Sequence, residues 1–127
     1  MPLYPNLAGL RPEGVAAYTP ATAAWVDGRH TSIGYLRMEP GTWSVPHYHH
    51  DEQFLYILKG TLRAAVEGEI LDASPGDLLH FPPGAVHEVL ALEEPVEFVL
   101  SRSPARGDLK EGVIHATGEK ARSLLRA

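Results

Sequence analysis

Gly41-Thr-Trp-Ser-Val-Pro-His47-Tyr-His49-His50-Asp-Glu-Gln53, running on through Phe54-Leu-Tyr-Ile-Leu-Lys to Gly60, places two histidines at a spacing of two and a polar donor just beyond them. A β-strand turns residues i and i+2 to one face, so His47 and His49 can aim both rings at a single point. A second stretch, Gly76-Asp-Leu-Leu-His80-Phe-Pro82-Pro-Gly84-Ala-Val-His87, supplies another imidazole after a rigid turn. Imidazoles brought together with an amide or carboxylate oxygen make a ligand set for a first-row divalent ion.

These stretches resemble the two motifs of the cupin family. The first motif, G, five residues, H-x-H, three or four residues, E, six residues, G, is matched by Gly41, His47, His49 and Gly60, with Gln53 where glutamate usually stands. The second, G, five residues, P-x-G, two residues, H, three residues, N, is matched by Gly76, Pro82, Gly84 and His87, with Ala91 where asparagine is common. Fifteen residues separate Gly60 from Gly76, the compact spacing of microbial single-domain cupins. The resemblance implies an all-β double-sheet jelly roll and one divalent ion (Fe, Ni, Mn, Zn or Cu) held by His47, His49, Gln53 and His87. Any one of these histidines alone would be read as an ordinary surface or core residue. The surrounding Gly and Pro positions, which serve the turns, make the set point to metal.

Strand alternation sends Glu52 and Gln53 to opposite faces, so only one can join the histidines; the family register chooses Gln53. Leu55 and Ile57 then face inward, with Phe54, Tyr56 and Leu58 packed on the other face. An amide in place of a carboxylate leaves the ion its full charge and makes it a stronger Lewis acid. His50 is expected at the rim or on the surface, and His80 in a structural role. Asp51-Glu52 reads as a solvated turn, the alternative being a hydrogen bond to a ligand histidine from behind. His30 and His115 fall in expected loops.

At 127 residues the chain reads as one domain, large enough to bury roughly two thirds of its unfolded surface. With no cysteine, neither a disulfide framework nor a thiolate metal site is available. A net charge of −5 argues against a nucleic-acid surface, which needs clustered Lys and Arg. Met-Pro-Leu-Tyr-Pro-Asn lacks the character of a signal peptide, and no apolar run approaches the ~18 residues that span a bilayer. The expectation is a cytoplasmic protein with neither membrane nor nucleic-acid partner.

From Thr31 to Ser101 short strands alternate with Gly and Pro punctuation. Gln53 to Leu58 and Thr61 to Val66 flank Lys59-Gly60, and Glu67-Gly68 follows, which predicts two tight hairpins and three antiparallel strands. Strands over Asp77–Phe81, 87–92 and Val96–Ser101 are joined by Pro82-Pro83-Gly84 and Glu93-Glu94-Pro95. Residues 1–30, with Tyr4, Leu7, Leu10, Val15 and Trp25, are expected along a barrel edge or across a homodimer. Residues 102–127 read as a tail in which Ala121, Leu124 and Leu125 follow Thr117 at helical spacing, predicting a short C-terminal helix.

Candidate contacts to a small ligand are Tyr35, Trp43, Phe81, Phe98, Arg102 and Arg106, with either arginine able to clamp a carboxylate bidentately. Ser103-Pro104-Ala105-Arg106 is similar to a turn in small bacterial cupins of the ketouronate-forming group of pectin degradation. There Arg106 carries over as the arginine for the substrate carboxylate, whereas that group's catalytic aspartate falls on Leu100 and its aromatic neighbour on Arg102. These features point to a metal-dependent enzyme for a small polar or carboxylated metabolite, of dioxygenase, isomerase or lyase type. Candidate bases are His80, Glu52 and Tyr35. The alternative is a metal-containing module that binds a small ligand without turnover.

Overall fold

The computed structural model describes residues 3–7, 21–106 and 113–126. Ten strands form among them: β1 Thr22–Asp27, β2 Ser32–Met38, β3 Trp43–Tyr48, β4 Glu52–Lys59, β5 Leu62–Val66, β6 Glu69–Ala73, β7 Leu78–Phe81, β8 His87–Ala91, β9 Val96–Ser103 and β10 Ile114–His115. They build two antiparallel five-stranded sheets, ordered β1-β2-β9-β4-β7 and β10-β3-β8-β5-β6. This is the all-β double-sheet architecture that the two motifs imply.

The alternation in each strand sets its inner face. Ser32, Gly34, Leu36 and Met38 are buried along β2, as are Val96, Phe98, Leu100 and Arg102 along β9. Leu55, Ile57 and Leu79 of the first sheet meet Leu62, Ala64, Val89 and Ala91 of the second in one core. Sheets packed this way interdigitate their inner side chains and leave the outer faces to solvent or to other segments.

The Lys59-Gly60 turn departs from the sequence expectation. It joins no hairpin, because β4 pairs with β7 and β9 in one sheet while β5 pairs with β6 and β8 in the other. The chain instead crosses between sheets at Gly60, whose φ is +73° and whose added Cβ would stand 2.4 Å from the Pro95 carbonyl oxygen. Glycine is required there for both its left-handed backbone and its missing side chain. Of these two turns, Glu67-Gly68 is the one that closes a hairpin, between β5 and β6. Turn chemistry reads the same at both sites; the sheet to which a strand belongs is decided by long-range pairing.

Phe54, Tyr56 and Leu58 do not pack under another layer but are 38%, 47% and 40% exposed on the outer face of β4. The barrel extends beyond residues 31–101, with β1 before it and β9 running to Ser103. The short C-terminal helix is present as a 3-10 turn at Gly118–Ala121, whereas His115, expected in a loop, pairs with His47 across β10 and β3. Of the N-terminal segment expected at an edge, Thr22–Asp27 forms an edge strand, whereas Leu10 and Val15 lie outside the described residues.

The C-terminal turn docks on the outer side of the second sheet. Glu88, 2% exposed, accepts hydrogen bonds from the Trp43 indole at 2.8 Å, the Ser123 hydroxyl at 2.8 Å and the Leu124 amide at 2.6 Å. Trp43 therefore serves this outer anchor rather than a ligand in the interior.

Candidate metal centre

His47 and His87 stand directly opposite one another in the β3–β8 ladder. Cross-strand partners share a face at close range, so both rings enter the interior together. A register irregularity between Ser44 and His47 inserts an extra residue, as a β-bulge does. Ser44, His47 and His49 consequently line one cavity although strict alternation would separate Ser44 from the other two. Ring centroids lie 4.3 Å apart for His47 and His87, 4.9 Å for His49 and His87, and 5.8 Å for His47 and His49.

The same nitrogen of each histidine lies against a partner behind it, through a hydrogen bond in His47 and His87 and a close contact in His49. His47 Nδ1 lies 2.5 Å from the Val45 carbonyl oxygen, His87 Nδ1 3.0 Å from that of Ala85, and His49 Nδ1 2.5 Å from Asp51 Oδ1. A carbonyl can only accept, so Nδ1 of His47 and His87 carries the proton and Nε2 is left with the lone pair that a metal takes. Burial, opposed by the Val45 carbonyl, lowers the His47 pKa to about 4. Burial and the neighbouring His47 and His49 push His87 well below its ordinary value. Both rings are thus neutral at pH 7, as metal ligation requires.

One ligand nitrogen from each of the three histidines lies within 4.8 Å of the others, and all three residues are buried. Two nitrogens bonded to one ion at ~2.0–2.1 Å stand no more than ~4.2 Å apart, a separation close to the one found here. Gln53, 5% exposed, lines the same cavity. Its neighbours across the ladders are Phe81 on β7 and Arg102 on β9, which carries all three side chains to the inner face. A buried trio of imidazoles with an amide beside it fits a divalent transition ion.

The surroundings distinguish among the sequence candidates. Arg102, 8% exposed, lines the cavity and donates from Nε to Asp51 Oδ2. Asp51 is fully buried, which corrects its reading as a solvated turn. Burial would raise its carboxyl, but the contacts with His49 and Arg102 outweigh that and hold it at about 2. Arg106 is engaged outside the cavity: its Nε and Nη2 donate to Asp27 at 2.9 and 2.8 Å, and its guanidinium lies 4.5 Å from the Trp25 ring centroid. Hydrogen bonds from Arg106 and Ser32 hold the Asp27 carboxyl at about 2.

Tyr35 stands on the opposite face of β2 from the cavity-lining Leu36. Phe81, 2% exposed, stacks on His87 at 4.2 Å and belongs to the core. Phe98 lines the cavity, as do Leu100 and Trp25. Trp25, expected only along a barrel edge or across a dimer, and Ser44, which no motif marks, also line the cavity. None of the base candidates lines the cavity. His80 and Glu52 meet each other at 2.7 Å on the exposed side of the first sheet, with His80 stacked on Phe54 at 4.4 Å. His50 is exposed beside Tyr48.

The lowered histidines predict an acid response of the metal-free fold. In the unfolded chain the rings titrate near 6.5, whereas folded His47 waits until about 4 and His87 lies lower than its ordinary value. Between those limits the unfolded chain binds more protons, so stability falls as pH drops, by up to ~1.4 kcal/mol per pH unit for each ring. Thermal denaturation of metal-free protein is expected to show Tm falling steadily from pH 7 to 4.5. A flat Tm over that range would contradict the buried neutral rings.

A family model described as a cupin domain, Cupin_2, matches residues 34–101, more than half of the chain. Oxalate decarboxylase OxdC of Bacillus subtilis is 36% identical over 70 residues, covering 51% of this chain and 18% of that protein. The chain thus spans less than a fifth of that relative. A structure of a single-residue variant of the Bacillus subtilis oxalate decarboxylase superposes with a TM-score of 0.64 at 26% identity, covering 77% of this chain and 28% of the other. KdgF from Halomonas sp. superposes with a TM-score of 0.69 at 24% identity over 80% of this chain and 92% of its own, a likeness of fold. Among the described residues no helix is long and apolar enough to cross a membrane. The two sheets that gather these histidines have the same fold as solved cupins, and the chain belongs to the cupin family.

Proposed function

We propose that this cupin is a metal-dependent enzyme for a small carboxylated metabolite, of dioxygenase, isomerase or lyase type, with His47, His49, Gln53 and His87 as the metal ligands. The observation that carries the reading is the convergence of three buried histidines in a cavity that Arg102 also lines. A bound divalent ion supplies Lewis acidity and open positions for oxygen donors. Arg102 has further guanidinium N–H groups beyond the Nε given to Asp51 and can bind a carboxylate through them. Leu36, Leu55, Phe98 and Leu100 line the same cavity and give it apolar walls. The cavity measures about 60 Å³, which favours a substrate of few heavy atoms. Oxalate, the substrate named for the Bacillus subtilis relative, is of that size and class.

One observation favours binding without turnover as the second reading. Among the described residues the cavity lining contains no carboxylate, lysine or tyrosine, so it offers no conventional general base beyond the histidines. Loading the protein in turn with manganese, iron, nickel and zinc and following oxalate, 2-oxo acids and uronates by NMR separates the two. Turnover that disappears in His47→Ala supports the enzyme; saturable binding without turnover supports the binding module; neither would contradict both.

We further propose that the protein acts in the cytoplasm as a homodimer through the outer face of its first sheet. Phe54, Tyr56, Leu58 and Leu78 are exposed there on neighbouring strands, and contiguous apolar patches of this kind mark interaction surfaces. Sedimentation is expected to give a dimer for the parent and a monomer for Tyr56→Asp; a monomeric parent would contradict the assignment.

A further inference from the structure

Asp51 lies two residues beyond His49 and is fully buried. Its two carboxylate oxygens face different partners: Oδ1 lies 2.5 Å from His49 Nδ1, and Oδ2 accepts from Arg102 Nε. Among the described residues neither His49 Nδ1 nor Asp51 Oδ1 meets hydrogen-bond geometry with any partner, and the 2.5 Å approach sets the two atoms against each other. Buried polar atoms left unsatisfied are costly, so each of these two depends on the other. His49 differs in this from His47 and His87, whose Nδ1 atoms face backbone carbonyls.

We propose that Asp51 is a positioning residue that sets the metal-facing tautomer of His49 and, with its second oxygen, holds the Arg102 guanidinium at the cavity. The metal half of this role rests on the ligand assignment proposed above; the tautomer does not. An ionised carboxylate only accepts, so it fixes the proton on Nδ1 and leaves the Nε2 lone pair for the ion. The three imidazoles and Gln53 carry no negative charge. Asp51 supplies one directly behind His49, and Arg102 keeps that charge compensated.

The substitution Asp51→Asn separates this role from simple packing because it preserves shape and changes donor chemistry. An amide has one accepting end and one donating end. The Arg102 Nε–H claims the oxygen, which turns the amide N–H₂ toward His49 Nδ1. That nitrogen must then accept, and the proton moves to Nε2, where it opposes the ion.

Long-range ¹H–¹⁵N NMR of the metal-free protein reads the tautomers directly. The parent is expected to show the proton on Nδ1 in His47, His49 and His87. In Asp51→Asn only His49 is expected to switch, with zinc affinity in a competition titration falling ~10–100-fold, the usual effect of losing a partner behind a metal ligand. A parent whose His49 carries its proton on Nε2 would overturn the proposal without any variant being needed. So would a folded Asp51→Asn protein with unchanged tautomer and unchanged zinc affinity. A parent that takes up no zinc while His49 shows the Nδ1 proton would overturn the ligand assignment and leave the tautomer role supported.

Discussion

Replacing His87 with alanine is expected to weaken binding of a divalent transition ion by at least ~100-fold, the upper end of what losing even an outer partner of a ligand costs. His87 lies opposite His47 in the β3–β8 ladder and within 4.9 Å of the His49 ring. Its loss takes away one of the three converging imidazoles and leaves a weaker donor set for the ion. His50→Ala is the matched control. It removes an imidazole adjacent in sequence but exposed, so affinity should stay within experimental error. Competition titration with a chromogenic chelator checks both. Equal losses in the two variants would mean that the ion is held elsewhere.

Arg102→Met is expected to destabilise the metal-free protein by ~3–5 kcal/mol, the cost of leaving one member of a buried ion pair uncompensated. For a domain of this size such a loss lowers Tm by roughly 10 °C or more. Arg102 and Asp51 are 8% and 0% exposed, and the carboxylate left behind cannot reach water. Arg63→Met makes the contrast. Arg63 also pairs with an aspartate, Asp72, at 2.8 Å, but both side chains are more than 40% exposed. Exposed pairs contribute ~0–1 kcal/mol, so that variant should melt near the parent. Combining Asp51→Leu with Arg102→Met removes both charges and is expected to recover much of the loss. Thermal denaturation of the four proteins measures the comparison, and similar melting of Arg102→Met and Arg63→Met would refute it.

The ladder of sequence to structure was readable where local chemistry and long-range pairing agree. His47, His49 and His87 are set by strand period and by Gly and Pro turns, and the inward Gln53, Leu55 and Ile57 follow from alternation, as their burial shows. Where one local signal serves two outcomes, the reading failed. Lys59-Gly60 has hairpin chemistry, yet β4 and β5 enter different sheets because β9 and β7 occupy the edges of β4. Asp51 sits in a polar run that suggests solvent, yet Arg102, fifty-one residues away, draws it inside. Tyr35 and Arg106 have side chains suited to a ligand, but the face of β2 and the carboxylate of Asp27 take them elsewhere. Pairings at such separations leave no mark in the intervening sequence.

The central claim is that the three converging histidines hold a metal ion, and metal content is its most direct test. Elemental analysis on protein purified without an affinity tag or added metal, beside His47→Ala and His87→Ala, is predicted to find close to one transition-metal ion per chain in the parent and almost none in either variant. A folded parent that contains no such ion and takes up none on titration would contradict it.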